Sequence, residues 1–573
     1  MKELMLGNEA LACGARDAGI AVVSAYPGTP STEITETIAR FDDVYAEWAA
    51  NEKVAAEVAM GACVAGARAM CCMKHVGLNV CADVLFTAAY AGVNAALVFV
   101  VADDPGMHSS QNEQDTRMLA AAAHVPVLEP SDSQEAYDFM RVAVALSEEM
   151  DLPVIVRMTT RISHSRGFVE RREAEKAAMR PYQKNPSKYV MMPAFAKGRR
   201  ASLFERMARV QAFSDQTEIN CLQKGGGKIG VLCSGTCYQY AKEALPQADI
   251  LKLGMTVPLP RVRIEAFAKT VDTLYIIEEL EPAIEQQVRS WGIDCIGSEV
   301  FPKIGELSVA QIRHAIYGEV VSANQAQDLP PRPPALCAGC PHRATFRVLN
   351  QLKANVFGDI GCYTLGALAP LNAMDSTICM GASIGMAHGA ERAQGREFSR
   401  KSVAVIGDST FFHSGLTGLA SAAYNQSNIT ILVLDNSITG MTGHQDNPAT
   451  GKTLKGLPVK PISIEKACYA LGAQHVRVVN PIDQEALKQA IVDSWAEDGV
   501  SVVIPRMPCV MIVPKTPALT VDPHKCTGCG VCIQTGCPAL QRQGKLVSID
   551  AQLCNGCGLC QGVCRFGSIG GTK

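Results

Sequence analysis

The most constraining feature of this 573-residue chain is a group of eight cysteines between positions 526 and 564, spaced Cys526-x2-Cys529-x2-Cys532-x4-Cys537-Pro538 and Cys554-x2-Cys557-x2-Cys560-x3-Cys564. Two intervening residues are enough for consecutive thiolates to turn toward one metal centre. The segment after Pro517 is too short and too poor in large apolar residues to build a core of its own, so it reads as a domain held by metal. Residues 1–15 carry Lys2, Glu3 and Glu9 and lack the apolar stretch of a signal peptide. A cytoplasmic chain is therefore expected, and in that compartment cysteines stay as thiolates instead of forming disulfides.

At roughly 150 residues per domain the length predicts about four domains. A composition of 48% hydrophobic and 19% charged residues is that of a globular protein. The net charge of -3 gives no chain-wide positive field, so no nucleic-acid partner is expected. The longest apolar run, residues 88–102, is interrupted by Asn94 and closed by Asp103-Asp104. It is too short to span a membrane and reads as a helix end feeding a buried strand.

Residues 1–160 alternate Gly/Ala-rich helical stretches with apolar strands such as the one over residues 96–101, which predicts a parallel α/β layer. From 161 to 209 the chain carries thirteen Lys/Arg against four Glu without a sustained β pattern. It reads as a connector with one or two surface helices and a solvated face. A second α/β unit starts near Lys228, the proline-rich stretch over 328–334 marks a boundary, and a third α/β unit follows to about Pro514.

The tail resembles the two-cluster bacterial ferredoxins, in which three close thiolates hold one [4Fe-4S] cube and the fourth cysteine of the run serves the other. The resemblance implies the sets Cys526, Cys529, Cys532, Cys564 and Cys554, Cys557, Cys560, Cys537. The first run has four residues before its last cysteine instead of three, and Arg565 stands where proline is usual. Zinc knuckles are the competing reading, but they usually recruit histidine.

In the third unit a buried strand ends in Gly407-Asp408-Ser409, and after a helical stretch a second strand ends in Asp435-Asn436-Ser437-Ile438. Open α/β sheets bind ligands at such strand ends, and oxygen donors there suit Mg2+. The spacing resembles the Gly-Asp-Gly to Asn-Asn signature of thiamine diphosphate enzymes. By that resemblance Asp408, Asn436 and the Ile438 carbonyl hold the ion, with Gly407 and Ser409 beside them; a strand-end Asp and a turn Asn of an unrelated sheet are the other reading. Gly381 opens a Gly-rich helix, and Ile384 on it is either a wedge beneath the cofactor or an ordinary core residue. In the first unit, Asn51-Glu52 before a helix resembles the pyrimidine-binding half of such enzymes, whose Glu hydrogen-bonds the aminopyrimidine and drives deprotonation of the thiazolium. An isolated first-turn Glu serving the helix dipole is the alternative. Cofactors of this kind lie between a pyrimidine-type and a diphosphate-type domain.

Several further stretches carry the family likeness. They are Tyr26-Pro27-Gly28-Thr29-Pro30-Ser31, the segments 73–80 and 106–115, Cys337-Ala338-Gly339-Cys340-Pro341-His342-Arg343 and Gly358-Asp359-Ile360-Gly361-Cys362. With the thiamine motifs and the tail, they make the chain similar over nearly its whole length to the catalytic subunits of the 2-oxoacid:ferredoxin oxidoreductases that act on arylpyruvates. The resemblance implies oxidative decarboxylation of arylpyruvates with coenzyme A. It also implies thiamine diphosphate, Mg2+ and [4Fe-4S] clusters as cofactors, ferredoxin as acceptor, and a smaller beta subunit in a hetero-oligomer. It places Tyr26, Pro27, Gly28 and Thr29 at the cofactor. Of His75, His108 and His342, only His75 is taken as a catalytic candidate, against the common case of a satisfied core histidine.

The expected fold is α/β, with three parallel-sheet domains of thiamine-enzyme type and a ferredoxin-like tail. The boundaries are 1–160 (pyrimidine-binding type), 161–226 (basic connector), 227–327 (transketolase C-terminal-like), 328–516 (diphosphate-binding type) and 517–573. The family pattern also implies a third cube on Cys337, Cys340, Cys362 and Cys509; four free core thiols are the alternative. Two other functions use parts of the same sequence, a non-oxidative thiamine decarboxylase or synthase and a non-catalytic electron-transfer subunit. The first has no use for the tail, and the second has no use for Glu52 with Asp408.

Overall fold

Strands such as Leu97–Asp103, Ala69–Lys74 and Ser402–Gly407 are buried along their whole length. That is what continuous apolar runs produce when helices cover both faces of a parallel sheet. Each fully buried Val, Leu, Ile or Phe on them contributes about 1.5–3 kcal/mol relative to exposure. The computed structural model describes residues 2–320 and 333–571. The chain divides into two compact units, Met1–Gln327 and Asp328–Lys573. Most of the proline-rich stretch expected over 328–334 lies outside the described residues.

The first unit holds a seven-stranded sheet in the order Met255–Val257, Val127–Leu128, Val154–Thr159, Leu97–Asp103, Ala69–Lys74, Val22–Ala25, Tyr45–Trp48. Six strands are parallel, and the edge strand Met255–Val257 is antiparallel. Its second sheet runs Thr273–Ile277, Ile229–Ser234, Asp249–Leu253, Cys221–Gln223, the last antiparallel. Two features depart from the sequence reading. The region expected to be a second, separate α/β unit lends Met255–Val257 to the first sheet. The basic connector, read as lacking β structure, contains Arg166–Glu170, paired antiparallel with Lys2–Leu6. The connector also holds the 24-residue helix Pro193–Gln216, anchored by the buried Arg206, whose guanidinium caps the Ala89 and Tyr90 carbonyls.

Buried ion pairs bind these layers. Arg157 donates to Asp103 at 2.6 Å and Glu129 at 2.9 Å, and Arg117 to Asp115 at 2.5 Å and Glu278 at 2.8 Å. Removing one partner of such a pair leaves an uncompensated buried charge and costs about 3–5 kcal/mol.

The second unit has a five-stranded, wholly parallel sheet in the order Asn355–Phe357, Ser402–Gly407, Thr430–Leu434, Ser501–Pro505, His475–Val479. Beyond it Leu519–Val521 pairs with Ile569–Gly571, and Leu540–Gln543 forms a hairpin with Leu546–Ile549. The small core of this tail joins Leu519, Ala539, Leu540, Val547 and Ile569 with Cys526, Cys532, Cys537, Cys554, Cys560 and Cys564. No helix among the described residues is long and apolar enough to cross a membrane.

Candidate active site

In both units polar residues, several of them predicted site residues, follow the carboxyl ends of adjacent parallel strands, where open α/β sheets collect ligands. In the first unit Tyr26 follows Val22–Ala25, Glu52 follows Tyr45–Trp48, His75 follows Ala69–Lys74 and Asp104 follows Leu97–Asp103. Glu52 opens the helix Glu52–Ala65, whose first turn is capped by Asn51 accepting from the Val54 amide at 2.9 Å. It is buried, and a Cβ on Gly77 would stand 2.6 Å from its Cγ and 2.7 Å from Oε1. Only glycine at 77 leaves the Glu52 carboxylate its place.

Lys74 is also buried, and burial pushes its ammonium down to about 8 against the opposing pull of Asp104 and Glu52. Its Nζ donates to the Ser109 carbonyl at 2.5 Å, while Asp104 accepts from the Ser109 amide at 2.8 Å and from the Ser110 and Thr160 hydroxyls at 2.6 Å. These bonds tie the loop after Asp104 to the strand ends. His75 is buried, and burial lowers its pKa, so the ring is neutral at pH 7. Tyr26 and Pro27 are buried, Gly28 and Thr29 half-buried, and Gly28 lies against Lys74. His108 is instead paired on the surface with Glu306 at 3.0 Å.

In the second unit Asp359, Asp408, Asp435-Asn436 and Arg506 follow four neighbouring strands. The side-chain oxygen of Asn436 faces two further oxygens: an amide nitrogen in its place would be 2.9 Å from the Ile438 carbonyl and 3.2 Å from Asp408 Oδ1. With the amide turned these two contacts are hydrogen bonds, and with its oxygen inward they bring together oxygen donors of the kind Mg2+ takes. Asp408 Oδ1 accepts from the Ser409 amide at 2.7 Å, and its buried Oδ2 lacks a hydrogen-bond partner. Burial, then the neighbouring Asp435 carboxylate, pushes the Asp408 carboxyl up to about 7. A bound divalent cation reverses that pressure. Asp435 itself turns to Arg506, whose Nε lies 2.6 Å from Oδ2.

Gly381 has φ +88°, and a Cβ there would meet Ser414 Cβ at 2.4 Å, so no side chain fits. Ile384 is fully buried in the core with Ile406, Phe411 and Leu419. Asp359 was not anticipated. It is fully buried and accepts from the Gly381 amide at 2.8 Å, the Ile360 amide at 2.9 Å and the Ser383 amide at 3.1 Å, fixing the start of the helix Ala382–Gln394. Its signal was an Asp two residues beyond a strand, in a stretch noted for Cys362.

Cysteines of the predicted sets act on one another in three places. Cys537, Cys554, Cys557 and Cys560 line one cavity with Leu519, Ala539, Leu540, Ile549 and Leu559. Burial and then Cys557, Cys537 and Cys554 push the Cys560 thiol up to about 12. Burial raises Cys532, with Cys529 and Cys564 adding to it. Burial and then Cys509 and Cys337 push Cys362 up to about 11, and burial pushes Cys340 up to about 12 with Cys362 and Cys337 adding to it. Thiols that resist ionisation through one another's charge suit a cation-bearing cluster, since a coordinating thiol is deprotonated by its metal. The thiols are near but open: among the described residues no three His, Cys, Asp or Glu close into a coordinating group. The Cys509 amide donates to the Asn436 carbonyl at 2.9 Å, which joins the Cys337 set to the oxygen set.

Residues 13–219 match the family "Pyruvate flavodoxin/ferredoxin oxidoreductase, thiamine diP-bdg", and residues 359–504 match "Thiamine pyrophosphate enzyme, C-terminal TPP binding domain". The indolepyruvate oxidoreductase subunit IorA of Pyrococcus horikoshii is 42% identical, covering 94% of this chain and 92% of its own. That of Archaeoglobus fulgidus is 41% identical, covering 96% and 94%. The solved 2-oxoglutarate:ferredoxin oxidoreductase from Magnetococcus marinus is similar with a TM-score of 0.46 and 18% identity over 55% of this chain and 64% of that chain. The chain thus belongs to the IorA family, the thiamine diphosphate-dependent catalytic subunits of multi-subunit 2-oxoacid:ferredoxin oxidoreductases.

Proposed function

We propose that this subunit oxidises arylpyruvates of the indolepyruvate and phenylpyruvate type with coenzyme A, giving an aryl-acetyl-CoA, CO2, one proton and two electrons that leave through [4Fe-4S] clusters to ferredoxin. The observation that carries this reading is that one unit holds both an oxygen set of the kind Mg2+ takes and a cavity lined by four cysteines. The aryl side chain is supported by the name of the relatives, indolepyruvate oxidoreductase.

Bound thiamine diphosphate supplies the carbanion that attacks the 2-oxo carbon and the electron sink for loss of CO2. Glu52 exchanges a proton with the pyrimidine end of the cofactor, and its burial keeps water from competing for that contact. Asp408, the Asn436 side-chain oxygen and the Ile438 carbonyl hold the Mg2+ of the diphosphate, with Gly381, Gly407 and Ser409 leaving room for it. Tyr26, Pro27, Gly28, Thr29 and the neutral His75 shape the first unit's half of the site. Cys337, Cys340, Cys362 and Cys509 hold a first cluster. Cys554, Cys557, Cys560 and Cys537 hold a second, and Cys526, Cys529, Cys532 and Cys564 a third. The tail is a ferredoxin-like module, and a smaller beta subunit completes the cytoplasmic enzyme.

The test is the anaerobic complex with that beta subunit, offered indolepyruvate, phenylpyruvate, pyruvate and 2-oxoglutarate with coenzyme A while ferredoxin reduction is followed. The aryl acids are expected to turn over fastest. Preference for pyruvate or 2-oxoglutarate, or aldehyde formed with ferredoxin left oxidised, contradicts the proposal.

A further inference from the structure

Arg343 is among the most deeply buried cations of the second unit, 3% exposed, and among the described residues no carboxylate pairs with it. Its guanidinium is held by backbone carbonyls alone. Nε donates to Cys337 O at 3.0 Å, one terminal nitrogen to Leu336 O, and the other to Gly536 O and, at 3.5 Å, to Thr535 O. One side of it thus grips the loop that begins with Cys337, and the other grips the turn that precedes Cys537. It also lines the cavity formed by Cys537, Cys554, Cys557 and Cys560.

The Cys337 loop also meets the loop between Cys554 and Cys557 directly. Asn555, between Cys554 and Cys557, donates from Nδ2 to the Ala338 carbonyl at 2.7 Å, and a Cβ on Gly339 would stand 3.2 Å from Asn555 Cβ. A buried guanidinium needs negative charge nearby. Burial lowers its pKa, and the acidic groups that act most strongly to hold it up are thiols, Cys537, Cys340, Cys337 and Cys557, drawn from both sets.

We propose that Arg343 is a fixed positive charge between the Cys337 set and the Cys537 set, which stabilises the extra electron on either side and joins the two into one electron path. This rests on the reading of both sets as cluster ligands. In the step it serves, one electron leaves the first cluster, which is oxidised, and enters the second, which is reduced. No proton moves, because the guanidinium remains protonated throughout. Carbonyl partners on both loops keep the charge from swinging toward solvent, which a lysine on a flexible stem would not ensure. Arg343 is bonded to backbone carbonyls of the cysteine loops and is a positioning residue for charge.

The experiment is an EPR-monitored redox titration of the anaerobic complex of this chain with its beta subunit, comparing the parent with Arg343→Gln and Arg343→Lys. With parental iron content, Arg343→Gln is expected to make both flanking clusters at least tenfold harder to reduce, about 59 mV lower for one electron. The cluster of the Cys526 set is expected to stay unchanged and Arg343→Lys to fall between. Unshifted potentials in an iron-replete Arg343→Gln protein overturn the proposal. Should that variant lose iron, the parent labelled with 15N in its arginine side chains decides. A nitrogen coupling from arginine to the reduced clusters is expected in pulsed EPR, and its absence overturns the proposal. Iron in the parent separates the two levels of inference. About twelve per chain upholds the clusters, whereas about eight removes the Cys337 cluster, and the bridge with it, before any variant is made.

Discussion

At the strand ends of the first unit a buried carboxylate and a buried ammonium, Glu52 and Lys74, act on each other, and Ser109, Ser110 and Thr160 supply the bonds that fix the neighbouring loop. At the corresponding strand ends of the second unit the Asn436 side-chain amide, the Ile438 carbonyl and Asp408 Oδ1 face one another, and Asp408 is pushed up to about 7. The first edge couples a carboxylate to an ammonium, which suits proton exchange, whereas the second gathers oxygens, which suits a cation that neutralises phosphate charge.

The largest effect that can break the comparison belongs to Glu52. Glu52→Gln is expected to slow ferredoxin reduction by about 10²- to 10⁴-fold. Magnesium-dependent cofactor binding and iron content should stay parental, as calorimetry and iron analysis would show. Asp408→Asn is expected to act on binding instead. Cofactor affinity should weaken by about 10- to 100-fold, with partial recovery at high Mg2+ in the same calorimetric measurement. If the two variants exchange phenotypes, the assignment of the edges is reversed.

How far the site was legible follows from which residues carry a local signature. Glu52, Asp408 and Asn436 stand just beyond buried strands or at a capped helix start, patterns that survive in one dimension. The long apolar runs marked the parallel sheets for the same reason. Asp359 was missed because its role, accepting three amides from another segment, exists only after Gly381 and Ser383 are brought to it. Ile384 was ambiguous because a wedge and a core residue look alike until its neighbours Ile406 and Leu419 are known. Arg166–Glu170 was read as connector because its partner, Lys2–Leu6, lies at the other end of the first unit and its own sequence is charged. Met255–Val257 joins a sheet whose other strands all precede it, which no local pattern encodes.

The smallest effect concerns stability and belongs to the first unit. Burial, opposed by the Leu307 amide, pushes the Glu279 carboxyl of the first unit up to about 7 from its ordinary 4.5. Between these values the folded chain binds a proton that the unfolded chain has released, so stability falls as pH rises from 4.5 to 7. The contribution is at most about 3 kcal/mol. Thermal unfolding of Glu279→Gln across that window is expected to give a flatter profile than the parent, and a parental slope removes this source of pH sensitivity.

The measurement closest to the centre of the account is the EPR spectrum of the anaerobic complex, frozen after indolepyruvate and coenzyme A are added without ferredoxin. Reduced [4Fe-4S] signals should appear in the parent and be missing in Glu52→Gln. Release of CO2 by the parent with every cluster still oxidised would contradict the account.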